Sequence, residues 1–84
     1  MTSRNIVNVA DGEVKTVYGF FITRNFWEYY LLDNNKGSDY RFALVHGYET
    51  EMGDVSMSEV KPYIVASSND LADVMPPIGW RWAD

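Results

Sequence analysis

The residues with the clearest capacity for chemistry lie within residues 40–59, which hold the chain's single histidine, His46. Glu49 and Glu51 follow it closely in the sequence. One imidazole and two carboxylates can bind a divalent metal ion, and His46 can alternatively act as a general base that a carboxylate orients. The sequence therefore allows a metal-dependent hydrolase, or a nuclease accessory, built on these three residues. Only one of the three ligands is a nitrogen, so the simpler interpretation is that His46 hydrogen-bonds locally at the end of a strand.

A second candidate site is the acidic surface around the turn that follows His46. In an extended strand Glu49 and Glu51 point to the same side, where they can receive a lysine or arginine side chain of a partner. Asp54 lies further along the chain, and Tyr48 occupies the turn. We therefore take Tyr48, Glu49, Glu51 and Asp54 as candidate protein contacts. The simpler alternative is a solvated hairpin, since exposed charges contribute little by themselves.

The bulk composition indicates one small, well-packed domain of 84 residues. Two cores would each be too small to be stable in a chain of this length. A hydrophobic fraction of 46%, with 15% aromatics, argues against disorder. The chain has no cysteine, which excludes disulfides and thiolate chemistry and favours a reducing compartment. Neither a long apolar segment nor a signal-peptide pattern is visible, so we expect a soluble, cytoplasmic protein that does not associate with membranes.

The acidic charge balance limits the kinds of partner that the chain can bind. Seven Lys and Arg against twelve Asp and Glu give a net charge of −5. This disfavours direct binding to nucleic acid, since nucleic-acid binders present a basic face. It permits binding to basic proteins, including those that themselves handle nucleic acid. The sequence also has no Gly-rich phosphate loop, no G-x-S-x-G elbow and no H-E-x-x-H motif, so we expect no cofactor and favour binding over catalysis.

The aromatic residues are a third candidate surface. Their rings could stack on unpaired bases, but the acidic charge argues against that use, and exposed rings serve equally well as hot spots for protein binding. In so small a domain we expect most rings to be in the core, with one patch partly exposed and with Trp80 or Trp82 packed back on the sheet. The set comprises Phe26, Trp27, Tyr29, Tyr30, Trp80 and Trp82.

Alternating β-branched and aromatic residues predict an antiparallel meander. The predicted strands cover residues 14–22, 26–33, 39–46 and 49–55. The polar breaks between them are short, which forces neighbouring strands to run antiparallel. Gly53 is expected to mark a bulge in the fourth strand.

The C-terminal third of the chain predicts short helices. Ser56 and Glu59 have the spacing of a capping box, so a helix begins at Met57. A polar N-cap signal before residues 71–75 predicts a second short helix there.

The predicted fold class is therefore α+β, a three- to four-stranded antiparallel β-meander with short C-terminal helices packed on one face. Residues 1–84 form a single domain. Within it, residues 1–13 are a loose N-terminal segment or an edge strand, residues 14–56 form the antiparallel sheet, and residues 57–84 form the short helices and an aromatic tail.

Four short motifs in the chain share their order and spacing with a known family. They read G-F-F at 19–21, W-E-Y-Y at 27–30, F-A-L-V-H-G-Y-E-T-E-M-G at 42–53 and S-M-S-E-V at 56–60. Residues 20–60 thus resemble uncharacterised domains common in plasmids, phages and other mobile elements, whose pattern is F-G-L-V-x-G-x-E-x-E-L-G-Y-F-S-L-x-E-L. The chain departs from the pattern at Tyr29 and Asp54. The resemblance implies a mobile-element origin and an antiparallel sheet with a helix, and it implies no activity.

We expect, from these observations, a non-catalytic acidic protein-binding module of phage or mobile-element origin. The sharper hypothesis is that it binds and modulates a host or phage protein, such as a host protein that handles nucleic acid, through its acidic hairpin. Two alternatives remain open. One is the metal-dependent enzyme that uses His46 with Glu49 and Glu51. The other is a structural homodimer in which the strand at residues 14–22 or the strand at residues 49–55 pairs across a two-fold axis.

Overall fold

A computed structural model describes residues 3–68 and 70–83 of the chain. Strands make up 50% of the structure and helices 12%, with two antiparallel sheets of three and five strands. The α+β prediction with several C-terminal helices is therefore wrong, because the protein is mostly β. Residues 1, 2, 69 and 84 lie outside the described part. The prediction of a loose N-terminal segment at residues 1–13 therefore lies outside the described residues at its first two positions.

The secondary structure of the described residues consists of eight strands, one short α-helix and two 3-10 helices. The strands are β1 (Arg4–Asn8), β2 (Val14–Val17), β3 (Gly19–Thr23), β4 (Glu28–Leu31), β5 (Tyr40–His46), β6 (Thr50–Ser56), β7 (Ile64–Ser68) and β8 (Trp80–Trp82). Helix α1 covers Met57–Val60, and the 3-10 helices cover Lys61–Tyr63 and Leu71–Asp73. None of these helices is long and apolar enough to cross a membrane.

The larger sheet contains the predicted antiparallel meander. Its strand order is β6-β5-β4-β3-β7, and each neighbouring pair is antiparallel. The pairing of β5 with β6 runs without a shift from Tyr40 opposite Ser56 to His46 opposite Thr50. Gly53 therefore makes no bulge, contrary to the expectation from the sequence. The register shift in this sheet lies elsewhere, between Ile22 and Thr23 where β3 pairs with β7.

The first predicted strand, residues 14–22, is divided between the two sheets. It breaks at Tyr18, so that β2 pairs with β1 in the smaller sheet while β3 pairs with β4 and β7 in the larger one. The Tyr18 amide donates to the Leu31 carbonyl at 2.8 Å, which fixes the crossing point. A strand that bends and changes sheet in this way forms a corner between two packed sheets.

The smaller sheet is assembled from the two ends of the chain. Its order is β2-β1-β8, so Arg4–Asn8 is its middle strand and the aromatic tail Trp80–Trp82 is an edge strand. Strand β8 pairs with β1, placing Ile6 opposite Trp82. Trp80 is buried, as the sequence predicted for one of the two tail tryptophans.

Two apolar clusters cover the two faces of the larger sheet. The inner cluster lies between the sheets and joins Ile6, Val17 and Trp80 of the smaller sheet to Tyr30 and Leu44 of the larger one. The outer cluster has Phe21, Leu31 and Ala43 at its centre, with Met57 and Val60 of the helical segment packed on it. The helical segment therefore covers only part of the outer face.

Helix α1 begins at Met57, as predicted, but its cap differs from the predicted capping box. The Ser56 side chain makes no capping hydrogen bond. Instead, Asp39, at the entry to β5, accepts the Ser58 amide at 2.9 Å and the Ser56 hydroxyl at 2.8 Å. A carboxylate from a distant part of the chain thus caps the helix, because the pairing of β5 with β6 brings Asp39 beside Ser56.

Candidate functional site

Two chain turns lie side by side at one end of the larger sheet. One joins β3 to β4 and the other joins β5 to β6. They are adjacent because Glu28, at the start of β4, pairs with His46, which in turn pairs with Thr50 at the start of β6. Three rings project from these turns, those of Phe26, Trp27 and Tyr48, and we call them the aromatic tip. The exposed fractions of Phe26 and Tyr48 are 79% and 93%, far above those of core rings.

Phe26 has a backbone conformation that side chains rarely adopt. Its φ is 67°, within the left-handed region. The Phe26 amide donates to the Thr23 carbonyl at 2.8 Å, and the Thr23 amide donates to the Trp27 carbonyl at 3.0 Å. This is a short hairpin loop whose last residue is left-handed, a position that normally favours glycine. The conformation costs about 1–2 kcal/mol for a residue with a Cβ, and the exposed ring recovers little of it by packing.

Trp27 is the half-buried centre of the aromatic tip. Its ring meets the Tyr48 ring edge-on, with centroids 5.4 Å apart and an interplanar angle of 81°. It also lies against the backbone of Gly47, where a larger residue would not fit. Trp27 therefore links the two turns and supports the exposed Tyr48 ring.

A concave surface next to the aromatic tip lies on the outer face of β4, β5 and β6, and we call it the outer groove. It encloses about 350 Å³. Trp27, Tyr29, Val45, Glu51, Gly53 and Val55 line it, with Met52 and Asp54 at the strand edge. A second cavity of about 360 Å³ adjoins the other side of Tyr29 and is lined by Thr23, Arg24, Asn25, Val60 and Tyr63.

Tyr29 forms a rigid ring surface between the two cavities. It stacks on Phe21, with centroids 4.5 Å apart and an interplanar angle of 12°. Burial raises the pKa of the Tyr29 phenol above its ordinary value of 10.0, so the ring is neutral at physiological pH. Within residues 3–68 and 70–83, no hydrogen bond or ion pair engages the side chains of Glu51 and Asp54. The groove therefore combines neutral aromatic surface with unpaired negative charge.

The four predicted contact residues are distributed over this end of the sheet. Tyr48 is part of the aromatic tip, and Glu49 lies exposed in the same turn. Glu51 pairs with Val45, so both face the outer groove, while Asp54 pairs with Phe42 on the alternate face and only borders the groove. Tyr48, Glu49 and Glu51 therefore share one end of the sheet, and Asp54 lies further along its edge.

The structure does not bring the three candidate metal ligands together. His46 pairs with Thr50 and its Nδ1 lies 2.9 Å from the Thr50 hydroxyl, with which it hydrogen-bonds. Glu51 follows Thr50 and therefore points to the opposite face of the sheet. In the described part of the chain, no group of three or more His, Cys, Asp or Glu residues is placed to hold a metal ion. The geometry thus gives His46 a local structural contact.

Two elements of this surface were not predicted from the sequence, the left-handed Phe26 and the groove beside Tyr29. A signal for Phe26 is present in the sequence, since the tight break at residues 23–25 contains no glycine to occupy a left-handed position. The groove has no such signal, because it depends on which residues of β4, β5 and β6 lie opposite one another. No protein-family model, no curated protein and no solved structure matches the chain.

Proposed function

We propose that this protein is a non-catalytic binding module that contacts a partner protein through the aromatic tip and the outer groove. The observation that carries the proposal is Phe26, which combines a left-handed backbone with a ring that is 79% exposed. A strained residue persists only where the surroundings impose it, and such residues cluster at functional sites. The exposed Phe26 ring contributes little to the stability of the fold. Its burial by a partner would contribute to the free energy of binding.

The chemistry around Phe26 supports a protein as the partner. Exposed aromatic rings are the side chains most enriched in binding hot spots. Here, the Trp27 ring is held by its edge-on contact with Tyr48 and by its position against Gly47, so little side-chain entropy is lost when Trp27 is covered. Glu51 lines the outer groove together with Trp27, and Glu49 lies exposed next to Tyr48 in the same turn, so the two carboxylates provide a polar rim.

Charge indicates which class of protein would bind. The net charge of −5 and the unpaired carboxylates favour a basic partner. Proteins that handle nucleic acid carry basic faces, so we propose a partner of that class, engaged in the cytoplasm, which suits a chain without cysteine. The resemblance of residues 20–60 to mobile-element domains supports a host or phage protein in that role.

The test is affinity capture from cell lysate with the native chain and a variant carrying Phe26→Gly and Tyr48→Ser. Both substitutions lie on exposed residues, so the variant keeps the fold, which circular dichroism verifies. The variant is expected to lose the partners that the native chain retains. Equal retention of every captured protein by both chains contradicts the proposal.

A structural homodimer is a second candidate, which the position of β6 favours. Strand β6 is seven residues long and is an edge strand of the larger sheet. An uncovered edge of this length can pair with a second copy. The other predicted pairing strand, residues 14–22, offers only its β2 half, since β3 lies between β4 and β7. Light scattering over a range of concentrations distinguishes a dimer from a monomer that binds other proteins.

A further inference from the structure

We propose that the outer groove binds an arginine side chain presented by an extended peptide segment that pairs with the edge of β6. This inference rests on the proposed binding function and specifies the chemistry of its ligand. It is carried by three features that meet at one place: a fixed aromatic surface, an unpaired carboxylate and a missing side chain in the edge strand.

The aromatic surface suits the flat face of a guanidinium group. Trp27 and Tyr29 both line the groove, and Tyr29 is held in place by its stacking on Phe21. A cation over such rings is attracted by the negative charge of the ring face, and arginine adds planar stacking that lysine lacks. The same molecule already contains such contacts, because the Arg24 guanidinium lies 5.3 Å from the centre of the Tyr63 ring.

Glu51 supplies the complementary charge. It faces the groove opposite Val45, and its carboxylate makes no ion pair within the described ranges. No lysine or arginine is among the residues that line this groove. A carboxylate can accept two parallel hydrogen bonds from one guanidinium group, which makes arginine a better match than lysine.

Gly53 opens the path from the edge of the sheet to the rings. It lies within β6 opposite Ala43, and a Cβ at Gly53 would meet nothing within 4 Å. The regular register shows that this glycine serves no bulge. Its missing side chain leaves a slot at the middle of the edge strand, through which a side chain from a paired strand can reach Tyr29. Strand addition at β6 would place alternate side chains of the added segment over this face.

The experiment titrates the isotope-labelled native chain with a blocked peptide, Thr-Val-Arg-Val-Thr, and follows amide and indole shifts by NMR. The matched control is Thr-Val-Gln-Val-Thr, which has the same strand propensity without the cation. We expect millimolar arginine peptide to shift the Trp27 indole N–H and the Gly53 amide. The glutamine peptide should bind about tenfold more weakly, since it loses both the ring contact and the charged hydrogen bonds. Equal shifts with both peptides, or none with either, overturn the proposal.

Two variants locate the binding site. Gly53→Ile fills the slot with a residue that strands favour and that has room there, so binding of the arginine peptide should be lost while stability is retained. Glu51→Gln should weaken binding about tenfold through loss of the charge. Undiminished arginine-specific shifts in Gly53→Ile overturn the proposed location.

A third variant separates this inference from the proposed function. Phe26→Gly changes the aromatic tip without changing the groove, so it should bind the arginine peptide normally. If the native chain does not bind the peptide but Phe26→Gly with Tyr48→Ser still abolishes partner capture, the arginine site is wrong and the binding function stands. If the peptide binds at the groove but the tip variant captures every partner, the arginine site stands and the tip has no part in binding.

Discussion

The Trp27 ring occupies the space in which a side chain at Gly47 would lie. A Cβ on Gly47 would be 2.6 Å from the Cδ2 and Cε2 atoms of Trp27 and 2.7 Å from Cε3, distances closer than van der Waals contact permits. Trp27 belongs to the turn between β3 and β4, and Gly47 to the turn between β5 and β6, so this contact packs the two turns against each other where strand pairing has placed them side by side. The position of the Trp27 ring within the aromatic tip therefore depends on a glycine that is distant from Trp27 in sequence.

Gly47→Ala is expected to destabilise the protein by about 1–3 kcal/mol, since a methyl group forces the Trp27 ring to move. Urea unfolding monitored by tryptophan fluorescence measures the change. Gly53→Ala is the matched control, because a Cβ there meets nothing within 4 Å, and it should be neutral or stabilising. In a Trp27→Ala background the cost of Gly47→Ala should disappear. A cost that persists without the ring would contradict the steric explanation.

Phe26→Gly is expected to raise the free energy of unfolding by about 1 kcal/mol, because glycine adopts a positive φ without a steric penalty. Phe26→Ala removes the same ring but retains a Cβ in the left-handed conformation, so it should give no such gain. Chemical denaturation of the three chains measures both effects. Partner binding should fall in both variants, since both lack the ring. If Phe26→Ala stabilises as much as Phe26→Gly, the backbone explanation is incorrect.

The ion pair between Asp33 and Arg41 makes stability depend on pH. Burial raises the pKa of the Asp33 carboxyl, but hydrogen bonds from the Phe42 amide and the Arg41 side chain outweigh it and hold the pKa below its ordinary value of 3.8. A carboxyl with a lowered pKa in the folded state contributes stability that is present above the unfolded pKa and lost as pH falls through the folded pKa. We therefore expect this contribution to be present above the unfolded pKa of 3.8 and to be lost as pH falls below it.

Asp33→Asn tests that expectation. Arg41 is only 7% exposed, so loss of its partner should cost about 3 kcal/mol near pH 7. The cost should shrink in acid, where Asp33 is protonated in the native chain as well. Urea midpoints measured from pH 7 down to pH 3 follow the difference. A difference that does not vary with pH would exclude the carboxylate as its source.

Asp39 rather than Glu59 is expected to control the start of helix α1. Hydrogen bonds from the Ser56 hydroxyl and from the Ser58 amide lower the pKa of the Asp39 carboxyl, as is expected when a carboxylate caps a helix. Asp39→Ala should therefore accelerate hydrogen exchange at the Ser58 amide. Glu59→Gln, at the position that the capping-box pattern indicated, should leave exchange there unchanged. If Glu59→Gln accelerates exchange at the Ser58 amide and Asp39→Ala does not, the predicted capping box is correct and the Asp39 cap is wrong.

Tyr30 joins the larger sheet to the segment before β8. Its hydroxyl donates to the Met75 carbonyl at 2.8 Å, so Tyr30→Phe should cost about 1 kcal/mol.

Burial, together with the nearby Glu28 carboxylate, raises the pKa of Tyr30. A raised pKa contributes stability that is present below the unfolded value of 10.0 and lost as pH rises above it. The native chain should therefore lose stability above pH 10 more steeply than Tyr30→Phe, as denaturant midpoints at pH 8 and pH 10.5 would reveal. Parallel profiles would contradict this assignment.

The sequence by itself determined the strands of the meander and their antiparallel order. Alternation of apolar and polar residues decides which face each side chain occupies, and short breaks leave no length for a crossover. For this reason the strands predicted at residues 26–33, 39–46 and 49–55 each have a counterpart in β4, β5 and β6. The acidic charge and the presence of Tyr48, Glu49 and Glu51 near one turn were likewise visible in the sequence.

Only the tertiary structure decided the remaining features. The sequence around Tyr18 reads as one continuous strand. In the structure its first half pairs with β1 and its second half with β4, so the segment bends from one sheet into the other. Residues 80–82 form a strand because they pair with the edge of β1. Residues 64–68 form a strand because they pair with the edge of β3. The outer groove depends on Val45 lying opposite both Tyr29 and Glu51. Local propensity acts over a few residues. Strand partners, in contrast, come from distant segments and are selected by the surface that they bury together. Neither the second sheet nor the groove could therefore be deduced from neighbours in the chain.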